Sequence, residues 1–181
     1  MTKIVLISPI FTLLLGCIPS QDFSSRIGEA DFVSACYTLA KPAFIFESDC
    51  ANLSGGLSNV ENCLSIQAVG EGGFPPSMER YSKRKGEIDE TLFDPLVFDR
   101  KGSITGMVAA GTKLNISKVV HHGWGTYGNI WVVRAQLQLS NGTVEVEIPS
   151  FSWVHKEPLW LNGRDDYFSG FYEEYLAGCD E

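Results

Sequence analysis

Apolar and polar residues alternate most regularly between Ile130 and Ile148. The Asn141-Gly142 pair in this stretch is typical of the two-residue type I′ turn of a β-hairpin. Counting outward from that turn pairs apolar residues with one another: Leu139 with Val144, Leu137 with Val146, and Ala135 with Ile148. The residues between them are glutamines facing glutamates. We therefore predict a hairpin with one face in the core and the other in solvent.

Two further segments have the composition of strands. From Lys113 to Val120, apolar and polar residues alternate, which predicts a half-buried strand and a meander of at least three strands with the hairpin. From Asp31 to Glu47 the chain is rich in aromatic and β-branched residues, but Pro42 interrupts it. Because proline cannot donate a ladder hydrogen bond, this segment predicts two short strands or one broken strand.

Two other segments lack a strand pattern. Gly70 to Glu90 combines Gly-Gly, Pro-Pro and the basic run Lys83-Arg84-Lys85, which predicts a long exposed loop with a solvated basic tip. Phe171 to Ala177 predicts two helical turns, with Gly178 as the C-terminal stop.

These elements predict a mainly β fold. Strands dominate and no βαβ alternation is present, so we expect a small antiparallel barrel or sandwich with a short C-terminal helix and two disulfides. Gly106 to Phe151 faintly resembles an SH3-like barrel, with a Gly-Thr strand entry, Trp131-Val132-Val133 and an Asn-Gly hairpin. The closing Gly-Trp-Val segment common in bacterial SH3 modules is absent.

The first residues have the layout of a signal peptide. Lys3 is followed by an apolar run from Ile4 to Leu15, which ends at Gly16-Cys17. A run of about a dozen apolar residues is shorter than the roughly 20 that a membrane-spanning helix needs. We therefore expect this segment to be removed during export.

Leu14-Leu15-Gly16-Cys17 resembles the lipobox of bacterial lipoproteins. The resemblance implies cleavage before Cys17 and acylation of that residue, and several acyl chains together hold a protein on a membrane durably. Ile18, where an inner-membrane lipoprotein commonly has Asp, implies the periplasmic face of the outer membrane. The expected organisation is a signal peptide over 1–16, a lipidated tether over 17–25 and one domain over 26–181. The alternative is an ordinary secretory signal with a chance cysteine.

The charge balance limits the choice of partner. The chain carries 14 Lys and Arg against 22 Asp and Glu, a net charge of −8, and loss of Lys3 with the signal makes it more negative. Such a surface repels nucleic acid and anionic lipid headgroups. We therefore expect a basic envelope protein as partner.

Four cysteines remain after Cys17, namely Cys36, Cys50, Cys63 and Cys179. An even number in an exported protein indicates two disulfides, for which three connectivities exist. We favour Cys50–Cys63, because loop-forming residues separate them and short closure is entropically easiest, and Cys36–Cys179 by elimination. A zinc site is the competing interpretation, but no CxxC or His-x-x-x-His spacing supports it.

Candidate catalytic groups are few. His121 and His122 are neighbours that a strand would point to opposite faces, and His155 stands apart, so we expect ordinary surface or strand-end histidines. Carboxylates are plentiful, and we expect them on solvated faces; they include the pairs Asp165-Asp166 and Glu173-Glu174. Since no nucleophile elbow or phosphate loop is present either, we predict neither enzymatic activity nor a metal or other cofactor.

Aromatic residues are the side chains in this sequence best suited to binding a ligand or a partner. Trp124 and Tyr127 lie in a Gly-rich stretch, where flat rings can stack on sugars or fill a partner's pocket. Trp131, Trp153 and Trp160 are expected in the core. Three hypotheses follow: a membrane-tethered protein-binding module of the inhibitor or accessory-subunit type, a peptidoglycan or glycan binder using Trp124 and Tyr127, and a hydrolase with an unrecognised carboxylate pair.

Overall fold

The computed structural model of the protein describes residues 20–51, 53, 60–93, 102–124, 128–151, 158–164 and 167–179. Strands make up most of this part of the chain. They are β1 (Gln21–Asp22), β2 (Cys36–Leu39), β3 (Ala43–Ala51), β4 (Val60–Ala68), β5 (Ile104–Val108), β6 (Lys113–Trp124), β7 (Gly128–Leu139), β8 (Gly142–Glu147), β9 (Leu161–Arg164), β10 (Tyr167–Phe171) and β11 (Leu176–Gly178). The helices are a 3₁₀ turn (Ser24–Arg26), α1 (Met78–Lys83) and α2 (Lys85–Leu92).

Nine of these strands form one sheet that curls into a half-barrel. Its order is β11-β2-β6-β7-β8-β4-β3-β5, with β1 added alongside β6, while β9 and β10 form a separate two-stranded sheet. Neighbouring strands are antiparallel except at a single parallel bridge between β4 and β8, where Ser65 faces Glu147. The predicted mainly β fold is confirmed, and Pro42 lies in the link between β2 and β3, as the broken strand pattern predicted.

An aromatic cluster fills the core face of the curled sheet. Trp131 of β7 packs on Phe168 of β10 with ring centroids 5.3 Å apart, and Phe168 packs edge-on against Phe171 at 5.6 Å. Phe23, just after β1, contacts the Trp131 ring at 5.3 Å. Since Trp160 is also buried, the core positions predicted for Trp131 and Trp160 are confirmed, and Trp153 lies outside the described residues. The small β9–β10 sheet therefore covers the core face.

The opposite face of β3 is covered by the two helices, which corrects the predicted loop over Gly70 to Glu90. The Ser77 side chain accepts a hydrogen bond from Arg80 N at 3.2 Å and begins α1 as an N-cap. Tyr81 of α1 and Leu92 of α2 are buried in a cluster with Phe44 and other aromatic residues. The Gly-Gly and Pro-Pro pairs precede the N-cap, and apolar burial holds two helices that are too short to be stable alone.

The predicted hairpin forms, but its register differs from the prediction by two residues. Leu137 pairs with Val144 and Ala135 with Val146, so the turn is centred on Ser140-Asn141 rather than Asn141-Gly142. A shift of two residues keeps every side chain on its predicted face. In the observed register Arg134 faces Glu147, whereas the predicted register places Gln136 opposite that carboxylate.

The predicted C-terminal helix is wrong. Tyr175 N and Leu176 N both donate to Tyr172 O, which makes one turn, and the chain then extends as β11 along β2. Two isolated helical turns are marginal in water, whereas β11 gains a ladder with β2 and buries Leu176.

Both favoured disulfides are present. Cys36 and Cys179 lie 5.5 Å apart at their Cα atoms and link β2 to the residue after β11. Cys50 and Cys63 lie 5.9 Å apart and cross-link β3 to β4. The first bridge fastens the C-terminal segment to an early strand, as predicted.

A buried ion pair lies beside the parallel β4–β8 bridge. Arg134 Nε lies 3.3 Å from Glu147 Oε2, and their side chains are 8% and 0% exposed. Arg134 Nη1 also lies 3.6 Å from Glu145 Oε1, whose side chain is 46% exposed. The pair joins β7 to β8, and Glu147 is also the residue of β8 that faces Ser65 of β4.

We expect the Phe168→Ala variant to lose about 3–5 kcal/mol of unfolding free energy, because a large cavity opens in the aromatic cluster. Urea unfolding with the disulfides intact measures this loss. The matched control is Met107→Ala on β5, where the side chain is 46% exposed and a change within about 0.5 kcal/mol is expected. Equal losses for the two variants would contradict the role given to Phe168.

We expect Glu147→Gln to cost about 3–5 kcal/mol of unfolding free energy, because the buried Arg134 guanidinium loses its buried carboxylate and keeps only the half-exposed Glu145. The control Glu145→Gln removes the exposed partner of the same arginine and is expected to cost at most about 1 kcal/mol. The double change Arg134→Met with Glu147→Leu should recover most of the loss. A double variant that is no more stable than Glu147→Gln would show that the pairing is not the cause.

Candidate binding groove beside the C-terminal strand

A groove of about 350 Å³ opens between β11, β10 and the loop that precedes β2. Its floor consists of buried apolar side chains, namely Val33, Tyr37, Phe171 and Leu176. Its rim consists of exposed small and acidic residues, namely Gly28, Glu29, Ala30, Ser34, Ser169, Glu173 and Gly178. An apolar floor with a polar rim is the usual composition of a binding site.

The Tyr37 side chain fixes the floor of the groove. Its hydroxyl accepts a hydrogen bond from Ser34 N at 3.2 Å, and its ring meets the Phe171 ring edge-on at 5.1 Å. Burial raises the pKa of the Tyr37 hydroxyl, so the group stays neutral at physiological pH. The two walls of the groove are thus joined by packing and do not depend on a ligand for their position.

The rim of the groove is acidic. Glu29 and Glu173 line it, and no Lys, Arg or His is among the lining residues. Glu29 is paired with Arg26 at 3.0 Å, whereas Glu173 makes no ion pair with any described residue. The adjacent Glu174 lies outside the groove and contacts Lys41 Nζ at 3.4 Å. A cationic group entering the groove therefore meets an available carboxylate at Glu173.

The N-terminal segment joins the fold sooner than the predicted tether to residue 25. Gln21 and Asp22 pair with His121 and Val120 of β6, and Phe23 packs in the aromatic cluster. Ser20 Oγ lies 2.6 Å from His122 Nδ1, a hydrogen bond that fixes the chain from its first described residue. The predicted tether is wrong from Gln21 onward, since pairing with β6 and burial of Phe23 outweigh the polarity of the segment.

The two adjacent histidines are buried rather than exposed, which corrects the expected surface position. His121 is 7% exposed and lies 4.5 Å from the Trp131 ring, while His122 is 1% exposed. They point to opposite faces of β6, as predicted for neighbours on a strand. Burial lowers the pKa of His122, with a smaller contribution from the charge of His121. His122 is therefore a structural group holding Ser20.

The other predicted site residues fall largely outside the described part of the chain. Cys17, Tyr127, His155 and the Asp165-Asp166 pair lie outside it, and so does the side chain of Trp124, the last residue of β6. The Glu173-Glu174 pair is described, but only Glu173 lines the groove. The aromatic glycan site and the carboxylate pair stay predictions.

Sequence reasoning missed the groove because its two walls come from opposite ends of the chain. Gly28 to Tyr37 supply one wall, and Ser169 to Gly178 supply the other. The available signal was the predicted Cys36–Cys179 disulfide, which requires these two segments to meet. A disulfide indicates proximity, but it does not indicate which neighbouring side chains leave a gap between them.

Neither a metal site nor a membrane-spanning helix is found in the residues that the structure describes. Their His, Cys, Asp and Glu side chains do not gather in groups of three or more able to hold a metal ion. Their helices lack the length and apolar character needed to cross a bilayer. Comparisons with protein-family models, curated proteins and solved structures found no match to this chain.

We expect the protein to lose stability as the pH falls below about 6.5, the ordinary pKa of histidine. Burial lowers the folded pKa of His122, so the unfolded chain takes up a proton that the folded chain resists. Urea unfolding between pH 7.5 and 5 should show that the unfolding free energy of His122→Gln falls less with pH than that of the original protein. The control Ser20→Ala removes the hydrogen bond but keeps the histidine, so its pH dependence should match the original protein. Identical pH dependence in His122→Gln would contradict the assignment.

Proposed function

We propose that the protein is an envelope lipoprotein, acylated at Cys17, that binds a basic protein partner without catalysing a reaction. The observation that carries the binding role is the groove with an apolar floor and an acidic rim. The wall that contains β11 is fastened to β2 by the Cys36–Cys179 disulfide, which fits an exported protein in an oxidising compartment. The partner would be a toxin that the protein inhibits or a subunit of an envelope machine.

The acidic surface supports a basic partner over nucleic acid or anionic lipid. The chain has a net charge of −8, and the groove itself has two acidic and no basic lining residues. Complementary charge accelerates association and weakens with added salt. Salt sensitivity is therefore the measurable mark of this binding mode.

Attachment at Cys17 would hold the domain close to its membrane. Three residues of fully extended chain span at most about 11 Å, and Ser20 is fixed on His122. The domain would have little freedom to move away from the lipid surface. Its partner would accordingly be a protein at, or passing near, that membrane.

We expect mass spectrometry of the native protein to find an acylated N-terminal Cys17, and cell fractionation to find the protein with the membranes. The control Cys17→Ser removes the acylated thiol and should abolish both results. An unmodified peptide terminus in a freely soluble protein would contradict the lipid attachment. For capture of the partner, an epitope is placed in the exposed Ser140-Asn141 turn, whose residues do not line the groove.

With that tagged protein, cross-linking in cells should recover a basic envelope protein, and adding about 0.5 M salt before cross-linking should reduce recovery, since screening is short-ranged at that concentration. Glu173→Gln should also lower recovery, whereas Glu79→Gln, on the exposed surface of α1, should not. Recovery of no protein at low salt would contradict the binding role.

A further inference from the structure

The two edges of the main sheet differ in how they are covered. β5 forms one edge, where the Ile104 N–H donates to the Tyr81 hydroxyl of α1 at 3.2 Å. β11 forms the other edge, and the groove runs along it. An open strand edge presents unpaired N–H and C=O groups to any chain that can lie beside it.

The register of β11 shows which backbone groups face the groove. Cys179 N donates to Cys36 O at 3.3 Å, and Ala40 N donates to Tyr175 O at 2.9 Å, on either side of the β2–β11 ladder. In this antiparallel pattern Ala177 turns its backbone groups toward β2, so those of its neighbours Leu176 and Gly178 point away. Leu176 and Gly178 also line the groove, whereas Ala177 does not.

Three of these outward groups have no hydrogen-bond partner among the described residues. Leu176 N is already used, because it donates to Tyr172 O at 3.1 Å. Leu176 O, Gly178 N and Gly178 O remain. A Cβ placed on Gly178 would meet no atom within 4 Å, so the sheet face at this position is open toward the groove.

We propose that the groove receives an extended basic segment of the partner protein, which adds to β11 as a further strand. Gly178 N and O and Leu176 O supply the backbone hydrogen bonds, as in other cases of strand addition. Glu173 on the rim contacts a Lys or Arg side chain of the segment. This proposal rests on the proposed binding function and specifies its mode.

The short edge limits how much of the partner is held. Three residues of strand extend about 10 Å, which permits two to three backbone hydrogen bonds to an added chain. Such a short edge binds an added strand weakly by itself, and it does not favour aggregation through repeated addition of strands. The acidic rim then provides selectivity, because an added strand with basic side chains gains attraction that an acidic strand lacks.

The test uses the native, detergent-purified full chain and three fluorescein-labelled octapeptides measured by fluorescence anisotropy. The first peptide is four Lys-Thr repeats, the second is four Glu-Thr repeats, and the third is the Lys-Thr peptide with alternate amides N-methylated. We expect the first to bind, the second not to bind, and the third to bind at least about tenfold more weakly, since it cannot form the strand ladder. Equal binding of the methylated and unmethylated peptides overturns strand addition.

Variants of the protein separate the contribution of backbone pairing with β11 from that of the acidic rim. Gly178→Pro removes the outward N–H and should weaken Lys-Thr binding about tenfold. Glu173→Gln should weaken binding about two- to fivefold, and its neighbour Glu174→Gln, outside the groove, should have no effect. Circular dichroism and non-reducing mass analysis check that each variant is folded and oxidised. The methylated-peptide comparison uses the unaltered protein and decides the question even if Gly178→Pro fails to fold.

Two further outcomes distinguish this proposal from the function on which it rests. If the Gly178→Pro variant captures the basic partner as well as the native protein does, strand addition is overturned while the binding function stands. If the native protein captures no partner at all, the binding function itself is overturned. Light scattering that shows a dimer of the native protein, converted to monomers by Gly178→Pro, overturns the basic-peptide occupant in favour of a second copy of this chain.

Discussion

Covering the core face of the curled sheet is the physical requirement on which the rest of the structure depends. A sheet that curls without closing leaves its inner apolar face exposed. Burial of apolar surface is the main favourable contribution to folding, so this face needs a cover. Here the cover is aromatic. Phe168 of the small sheet packs on Trp131 of β7, Phe171 packs on Tyr37 of β2, and Phe23 near the N-terminal strand β1 packs on Trp131. Residues far apart in the chain thereby become one core.

The groove is a consequence of that cover. The segments that cover the core face come from both ends of the chain, and where they meet beside β11 they leave a gap. The Cys36–Cys179 disulfide holds one wall at the sheet, and Tyr37 packs across the floor against Phe171 of the other wall. Packing and covalent linkage thus maintain the groove in a protein whose described helices are short.

Local patterns predicted what depends on local chemistry, and they failed where distant contacts decide. Side-chain alternation gave the correct faces of the hairpin, but the turn pair Asn141-Gly142 gave a register two residues away, because pairing of Arg134 with Glu147 across the strands is not visible in a turn motif. The helices over Phe44 were missed because burial against β3, rather than local propensity, stabilises them. The groove was missed for the same reason, since its walls are distant in sequence.

Burial separates the acidic residues that support the fold from those that are available for binding. Glu147 is fully buried against Arg134, where it joins β7 to β8 but cannot meet a partner. Glu173 is exposed at the rim of the groove and has no ion-pair partner among the described residues. A charge that the fold has already neutralised adds nothing to association, whereas an exposed unpaired charge attracts a cation through solvent. In the binding mode that we propose, recognition therefore depends on Glu173 beside the edge of β11 more than on the negative charge of the chain as a whole.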